Sequence, residues 1–220
     1  MNQTEFLEKR EKWLNEVSDE CHEFASKIDL DFYVFQTPCD RYSPKLLIIG
    51  INSGGSKSYK EALKGKGYDK RPASDLAYKE NTLVEKPDWE REAGLKGSDV
   101  MRDNLQKVFN GDNNLDILKE TVMMNMLYFN TDDINKVKVE IRKYCIDKTL
   151  EFIDILNPQN ILFFTGDKDK LKSYGVKNIV EKEYFIKQGI LAGRTVYAIP
   201  SYGYYITLIR MKTALKWVNH

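Results

Sequence analysis

Three groups of polar side chains come at the ends of apolar stretches or inside one, and their types suit hydrogen bonding to a ligand. The first is Asn52 in the loop 50–55, which reads Gly-Ile-Asn-Ser-Gly-Gly and follows the apolar run 46–49. The second is Asn125, which lies within an otherwise apolar run, and the third is Ser201 with Tyr202. Because an amide carries both donors and an acceptor, each asparagine can read a planar ligand edge or hold a water molecule.

Each feature also has an ordinary structural explanation. Asparagine is disfavoured in strands and needs partners when buried, so Asn125 can equally tie two backbone segments together or lie at a solvated strand end. The loop after Asn52 can be a tight strand-to-helix turn without a ligand, since it is neither a Gly-x-Gly-x-x-Gly nor a Walker loop. Its glycines, Gly54 and Gly55, nevertheless permit a ligand to approach the backbone closely.

A basic segment follows this loop. Residues 56–71 contain six basic and two acidic side chains, with two tyrosines among them. Such a segment can follow a phosphate backbone, although a solvated charged face is the commoner explanation. Lys57, Lys60 and Lys64 are therefore candidate DNA-binding residues.

The composition narrows the function classes. The 220 residues are 42% hydrophobic and 12% aromatic, which is typical of a globular core, and the net charge of +1 restricts any nucleic-acid binding to a local patch. Three scattered cysteines and two histidines argue against a disulfide framework, a four-cysteine site or a multi-histidine metal site, so we expect no metal and no cofactor. The reduced thiols, the lack of a long apolar run and the charged N-terminal segment predict a cytoplasmic protein without a membrane span or secretory signal.

The elements that must position these residues follow from apolar periodicity. The spacing of Leu14, Val17, Cys21 and later apolar residues predicts a helix within 1–30. Glycines and prolines predict a long surface excursion over residues 53–97. Further helices are predicted after Ser98, after Asp132 or Asp133, and over about 206–218. Strands are predicted at 46–49, 121–129, 160–165, 177–186 and 194–199.

Alternating strands and helices predict one α/β domain over residues 1–220. Its expected architecture is a three-layer α/β/α sandwich around a mostly parallel central sheet. In such sheets ligands bind at the carboxyl ends of the strands, which is where all three polar groups are expected.

The order of these groups resembles that of the uracil-DNA glycosylase superfamily. Residues 50–54 are similar to the family's first motif, Gly-x-Asn-Pro-Gly in the mismatch-specific uracil/thymine branch, with Ser53 in place of proline. Residues 121–125 resemble the strand whose asparagine reads the uracil edge. Residues 199–201, Ile-Pro-Ser, resemble the second motif, His-Pro-Ser or Asn-Pro-Ser, with isoleucine at its polar position.

The resemblance implies a uracil-DNA glycosylase-like fold. It also implies hydrolysis of the N-glycosidic bond of uracil, or of another deaminated or damaged base, flipped out of duplex or single-stranded DNA. Asn52 and Ser201 would be the catalytic residues, Asn52 positioning the attacking water and Ser201 contacting a DNA phosphate. The expected base-binding residues are Asn125, the backbone from Ile51 through Gly54 and Gly55, the stacking candidates Tyr59 and Phe129, and Tyr202.

Ile199 leaves a second hypothesis open. The family's polar residue there donates a hydrogen bond to the leaving base or helps to fix the water, and loss of one such donor costs roughly 10²–10³ in rate. Tyr202 is a candidate to supply a hydroxyl instead. The alternative is a non-catalytic member of the fold, which binds a nucleobase, nucleotide or nucleic acid or serves as an interaction module.

Overall fold

The computed structural model describes residues 1–52, 57–87, 91, 100–109, 115–200, 213 and 216. Helix α1, Gln3–Ile28, begins with a capping box in which the Asn2 side chain accepts from the Glu5 N–H and the Glu5 carboxylate accepts from the Asn2 N–H. This arrangement satisfies two backbone donors that the first turn leaves free. The helix ends where Asp29 adopts a left-handed conformation, close to the predicted end.

Among the described residues, six strands form one mixed sheet. The order is β2-β1-β3-β6-β5-β4, in which β2, β1, β3 and β6 are parallel, while β5 runs antiparallel to both of its neighbours. The predicted α/β class with a mostly parallel sheet is therefore confirmed. The strands are β1 Leu47–Asn52, β2 Val122–Leu127, β3 Ile161–Phe163, β4 Lys177–Glu181, β5 Lys187–Leu191 and β6 Arg194–Ala198.

Helices cover both faces of the sheet. Because successive strand residues point to opposite sides, each strand contributes side chains to two buried clusters. Leu47 and Ile49 of β1 belong to a first buried cluster with α1 and α5, whereas Ile48 belongs to a second cluster with α3 and α4. The described helices after α1 are α2 Tyr59–Lys66, α3 Val100–Phe109, α4 Leu115–Glu120, α5 Val139–Leu156 and α6 Lys168–Ser173.

The predicted strand 177–186 is wrong in its second half. Residues 182–186 form the turn of a β4–β5 hairpin, closed by the bond from the Lys182 N–H to the Ile186 carbonyl at 2.7 Å. Within this turn Tyr184 and Phe185 have φ angles of 56° and 61°. The apolar residues of the turn favour a strand by composition, but two consecutive left-handed residues end it.

Two predicted helix starts differ or cannot be compared. Asp133 caps only a short 3₁₀ helix, Ile134–Lys136, and α5 begins after Lys138 without a side-chain cap. Ser98 lies outside the described residues, and of the predicted terminal helix only residues 213 and 216 are described. In the described part of the excursion 53–97, α2 is followed by a 3₁₀ helix, Ala73–Asp75.

The segment before the first proline of the connecting loop runs along β2. Tyr33 donates its N–H to the Tyr128 carbonyl at 2.9 Å, and the Asn125 N–H donates to the Val34 carbonyl at 3.0 Å. Residues 32–36 therefore cover the outer side of β2 in an antiparallel sense, and they fix its position at the candidate site.

The opposite side of the sheet ends differently. Within the described part of the chain β4 is the last strand there, and its pairing with β5 shifts register between Lys177 and Val180. Asn178, inside this irregularity, has a φ of 53°. The strand is thus bent away from a regular ladder.

Candidate functional site

Asn52 is the last residue of β1, at the carboxyl end of the strand. Its Nδ2 donates a hydrogen bond to the backbone carbonyl of Thr131 at 2.7 Å, and Thr131 lies in the chain that leaves β2. This bond fixes the orientation of the amide, because only the NH₂ end can donate to a carbonyl. The Oδ1 end is therefore the end directed away from Thr131.

Asn125 lies beside Gly50 in the neighbouring strand. The two residues are register partners, and a Cβ built on Gly50 would lie 2.6 Å from the Asn125 Oδ1. The amide therefore occupies space that every residue other than glycine would fill. The side chain is only 1% exposed, so its hydrogen bonds form in a site shielded from bulk water.

Asn52 and Asn125 share one face of the sheet. Gly50 and Asn125 are paired in parallel strands and point to the same side, and Asn52 follows Gly50 by two residues, so alternation returns it to that side. The strand spacing and rise place the Cα atoms of the two residues roughly 8 Å apart. The structure thus brings together two of the three polar groups predicted from the sequence.

The second cluster lies on the face of the sheet to which Asn125 points. Ile199 is fully buried in the second cluster, together with Met123, which precedes Asn125 on the same face by two residues. The Ile199 N–H donates to the Phe163 carbonyl at 3.0 Å, and this bond continues the β3–β6 ladder. The residue at the second-motif position is thus a core side chain without hydrogen-bonding atoms.

The two stacking candidates lie elsewhere. Tyr59 and Phe129 are both buried in the first cluster, on the opposite side of the sheet from Asn125. The Tyr59 hydroxyl lies 3.0 Å from His22 Nδ1 and accepts the Arg71 N–H at 3.2 Å, and burial raises the pKa of Tyr59. Phe129 packs against Phe32 with ring centroids 5.9 Å apart. Neither ring faces the two amides.

The remaining base-binding predictions divide into two groups. Ile51 is half-buried, and alternation directs its side chain away from the face of Asn52, so only its backbone is suited to contact a ligand there. Four predicted site residues lie outside the described residues: Gly54, Gly55, Ser201 and Tyr202.

The three candidate DNA-binding lysines are exposed. Lys57 precedes α2, and Lys60 and Lys64 lie on it. The start of this helix is fixed by Asp29, whose carboxylate accepts the Lys60 N–H at 3.2 Å and the Ser58 hydroxyl at 3.1 Å. The bond from the Lys60 N–H, with a smaller contribution from Ser58, lowers the pKa of Asp29 despite some desolvation.

Arg71 corrects the expected character of the basic segment. It is buried rather than solvated, and its guanidinium pairs with the buried Asp31 and lies 4.3 Å from the ring centroid of Tyr33. Burial disfavours the guanidinium charge, but Tyr33 and Asp31 outweigh this effect and hold the pKa of Arg71 above its ordinary value. Sequence alone gives no signal for this pair, since its members are 40 positions apart.

The buried thiols are unsuited to nucleophilic chemistry at neutral pH. Burial raises the pKa of Cys39 and of Cys145 to about 12, and raises that of Cys21 well above its usual value. A thiol reacts as the thiolate, so these groups stay unreactive. Across the part of the chain that is described, no three His, Cys, Asp or Glu side chains form a group suited to hold a metal ion.

The chain matches no protein-family model, and no curated protein is significantly similar to it. None of the described helices is long and apolar enough to cross a membrane.

Proposed function

We propose that this protein is a uracil-DNA glycosylase-like hydrolase that removes uracil, or another deaminated or damaged base, from DNA after flipping it out. The observation that carries the proposal is the shared face of Asn52 and Asn125, with Gly50 leaving room for the Asn125 amide. The roughly 8 Å between the Cα atoms of these two residues suits one small planar ring bound by one amide and attacked from the side of the other.

The roles follow from the chemistry of the bond. Cleavage of an N-glycosidic bond builds positive charge on the sugar and negative charge on the base. Asn125 is proposed to bind the polar edge of the base, and Asn52, tethered to Thr131 through Nδ2, is proposed to orient the attacking water. An amide oxygen orients water but takes up a proton poorly at neutral pH, so the reaction is expected to be slow. Ser201, which follows Pro200, is proposed to contact a DNA phosphate.

A gel assay tests this proposal. Oligonucleotides that contain uracil, hypoxanthine or a G·T mismatch are incubated with the protein and then treated with alkali, which breaks the strand at each abasic site. We expect breaks with at least one substrate and a loss of at least about tenfold in Asn52→Ala.

Asn160→Ala is the matched control. Its side chain also donates to a backbone carbonyl, that of Lys45 at 3.0 Å, but it lies at the amino end of β3. The Asn160→Ala variant should cleave the substrates at the same rate as the wild type. Equal cleavage by Asn52→Ala and the wild type would contradict the assigned role.

The second candidate function is binding without catalysis. It is favoured by the complete burial of Ile199, which puts hydrocarbon where a donor to the leaving base is needed. In that case the protein binds a nucleobase, nucleotide or nucleic acid through the same two amides. Salt-dependent DNA binding without cleavage of any substrate, weakened in Asn125→Ala, would favour it over the glycosylase.

A further inference from the structure

The tip of the β4–β5 hairpin carries two exposed aromatic rings. Tyr184 is 54% exposed and Phe185 60% exposed, in adjacent positions. Their φ angles of 56° and 61° lie in the left-handed region, which is costly for bulky side chains and is concentrated at functional sites in proteins. Both the exposure and the backbone of these residues are therefore unusual for a simple connecting turn.

The hairpin tip lies on the same edge of the sheet as the two amides. Strand β4 is antiparallel to β5, which is antiparallel to β6, so β4 ends at the carboxyl edge of the parallel strands. Lys187 at the start of β5 pairs with Ala198, directly before Ile199. The two rings thus project from the edge that carries Asn52.

The tip is anchored in the second cluster, on the face of the sheet to which Asn125 points. Ile186, the residue after Phe185, is fully buried in the same cluster as Met123 and Ile199. A buried anchor next to two exposed rings holds those rings at a defined position relative to the site. Rings held this way suit stacking on a ligand, because little conformational freedom is lost when the ligand binds.

The distance to the amides fits a nucleic-acid strand. The middle of the hairpin lies about three and a half strands from β1 in the sheet order, which corresponds to roughly 17 Å. Stacked DNA advances about 3.4 Å per nucleotide of each strand, so this span corresponds to about five nucleotides.

We propose that Tyr184 and Phe185 form a stacking platform for bases about five nucleotides from the base held by Asn52 and Asn125. This inference rests on the proposed function and adds the contact that sets the length of DNA engaged. Exposed aromatic rings bind successive bases of a single strand without sequence preference, because unpaired bases have free faces on which a ring can stack. Around the rings, Lys182 and Lys187 are balanced by Glu181 and Glu183, so the platform binds through stacking rather than charge.

The test measures, by anisotropy, the affinity of the full chain for fluorescein-labelled single-stranded oligonucleotides. Each oligonucleotide carries one uracil, with either three or eight nucleotides on each side. In the variant Tyr184→Gly/Phe185→Gly the rings are removed and the left-handed backbone is retained. We expect it to bind the long oligonucleotide at least about tenfold more weakly than the wild type and the short oligonucleotide equally well.

Two further readouts separate stacking from charge and from general damage. The slope of log affinity against log salt should stay unchanged in the double glycine variant, since no phosphate contact is lost. Val180→Ala, which trims an exposed aliphatic side chain of the same hairpin, should bind both oligonucleotides like the wild type.

The outcomes distinguish this inference from the proposed function. If the wild type binds and cleaves but the glycine variant binds the long oligonucleotide within twofold of it, the platform alone is overturned. An equal loss on both oligonucleotides also overturns it, because the five-nucleotide spacing is then wrong. If the wild type binds DNA without cleaving it and the length-dependent loss is seen, the platform stands and the glycosylase falls. No DNA binding by the wild type overturns both.

Discussion

At the scale of single residues, the contact between Gly50 and the Asn125 amide gives a direct test of the site's geometry. A Cβ at position 50 would lie 2.6 Å from Oδ1, closer than normal van der Waals contact, so the amide or the strand must move. We expect Gly50→Ala to lower the free energy of unfolding by about 1–3 kcal/mol in urea titrations. Gly65→Ala in α2 is the control, since nothing lies within 4 Å of its Cβ and alanine favours a helix.

A double-mutant cycle identifies the cause of that loss. Asn125→Ala removes the atom with which the new methyl group collides. The double variant Gly50→Ala/Asn125→Ala should therefore be more stable than the sum of the two single effects, by about 1 kcal/mol or more. Additive effects would mean that the two residues do not share this space.

At the scale of elements, the buried pair of Arg71 and Asp31 joins the chain after α2 to the chain after α1. Removing one partner leaves an uncompensated buried charge, so Arg71→Ala should lower the free energy of unfolding by about 3–5 kcal/mol in urea titrations. The adjacent Lys70 is the matched control. It forms an exposed pair with Asp19, and Lys70→Ala should cost less than about 1 kcal/mol.

The same pair is incompletely satisfied. Arg71 Nε and Nη1 and Asp31 Oδ2 have no hydrogen-bond partner among the described residues. Replacing both residues by apolar ones, as in Asp31→Leu/Arg71→Met, should therefore recover most of the stability lost in Arg71→Ala. A double variant as unstable as the single one would show that the ion pair itself stabilises the fold.

Asp29 gives a pH-dependent prediction for α2. Its pKa is lowered in the folded protein, first by the Lys60 N–H, so its contribution to stability is complete above about pH 4. That contribution is lost as pH falls through the folded value. Asp29→Asn tolerates the left-handed backbone but lacks the charge. Urea denaturation should show the wild type more stable than Asp29→Asn at pH 7, with a smaller difference at pH 3. A difference independent of pH would exclude the carboxylate charge as its source.

At the scale of the whole molecule, the proposed DNA contact divides between charge and stacking. The chain that follows the carboxyl end of β1 carries Lys57, Lys60 and Lys64. Replacing all three by alanine should reduce the magnitude of the slope of log DNA affinity against log salt concentration by up to about 2–3. The control triple variant replaces lysines at the amino ends of the strands, where no DNA contact is proposed: Lys45, Lys119 and Lys177. Equal slopes in the two triple variants would contradict a specific basic surface.

The sequence predicted the elements whose signals are local. The apolar spacing in α1 and the apolar runs of β1, β2 and β3 were sufficient, because each run is bounded by turn residues or a polar group. The alternation that puts Asn52 and Asn125 on one face was equally available once β1 was extended to Asn52. The burial of Tyr59 and Arg71 could not be predicted from the sequence, because it depends on Asp31 and His22, which are distant in sequence.

The irregular pairing of β4 at Asn178 has a consequence for the protein in concentrated solution. A regular outer strand offers its free N–H and C=O groups to a strand from another molecule, which leads to edge-to-edge aggregation. The left-handed Asn178, with the shifted register between Lys177 and Val180, interrupts that row of groups. On the other side residues 32–36 occupy the outer side of β2. In the described part of the chain, both sides of the sheet are thus protected against polymerisation.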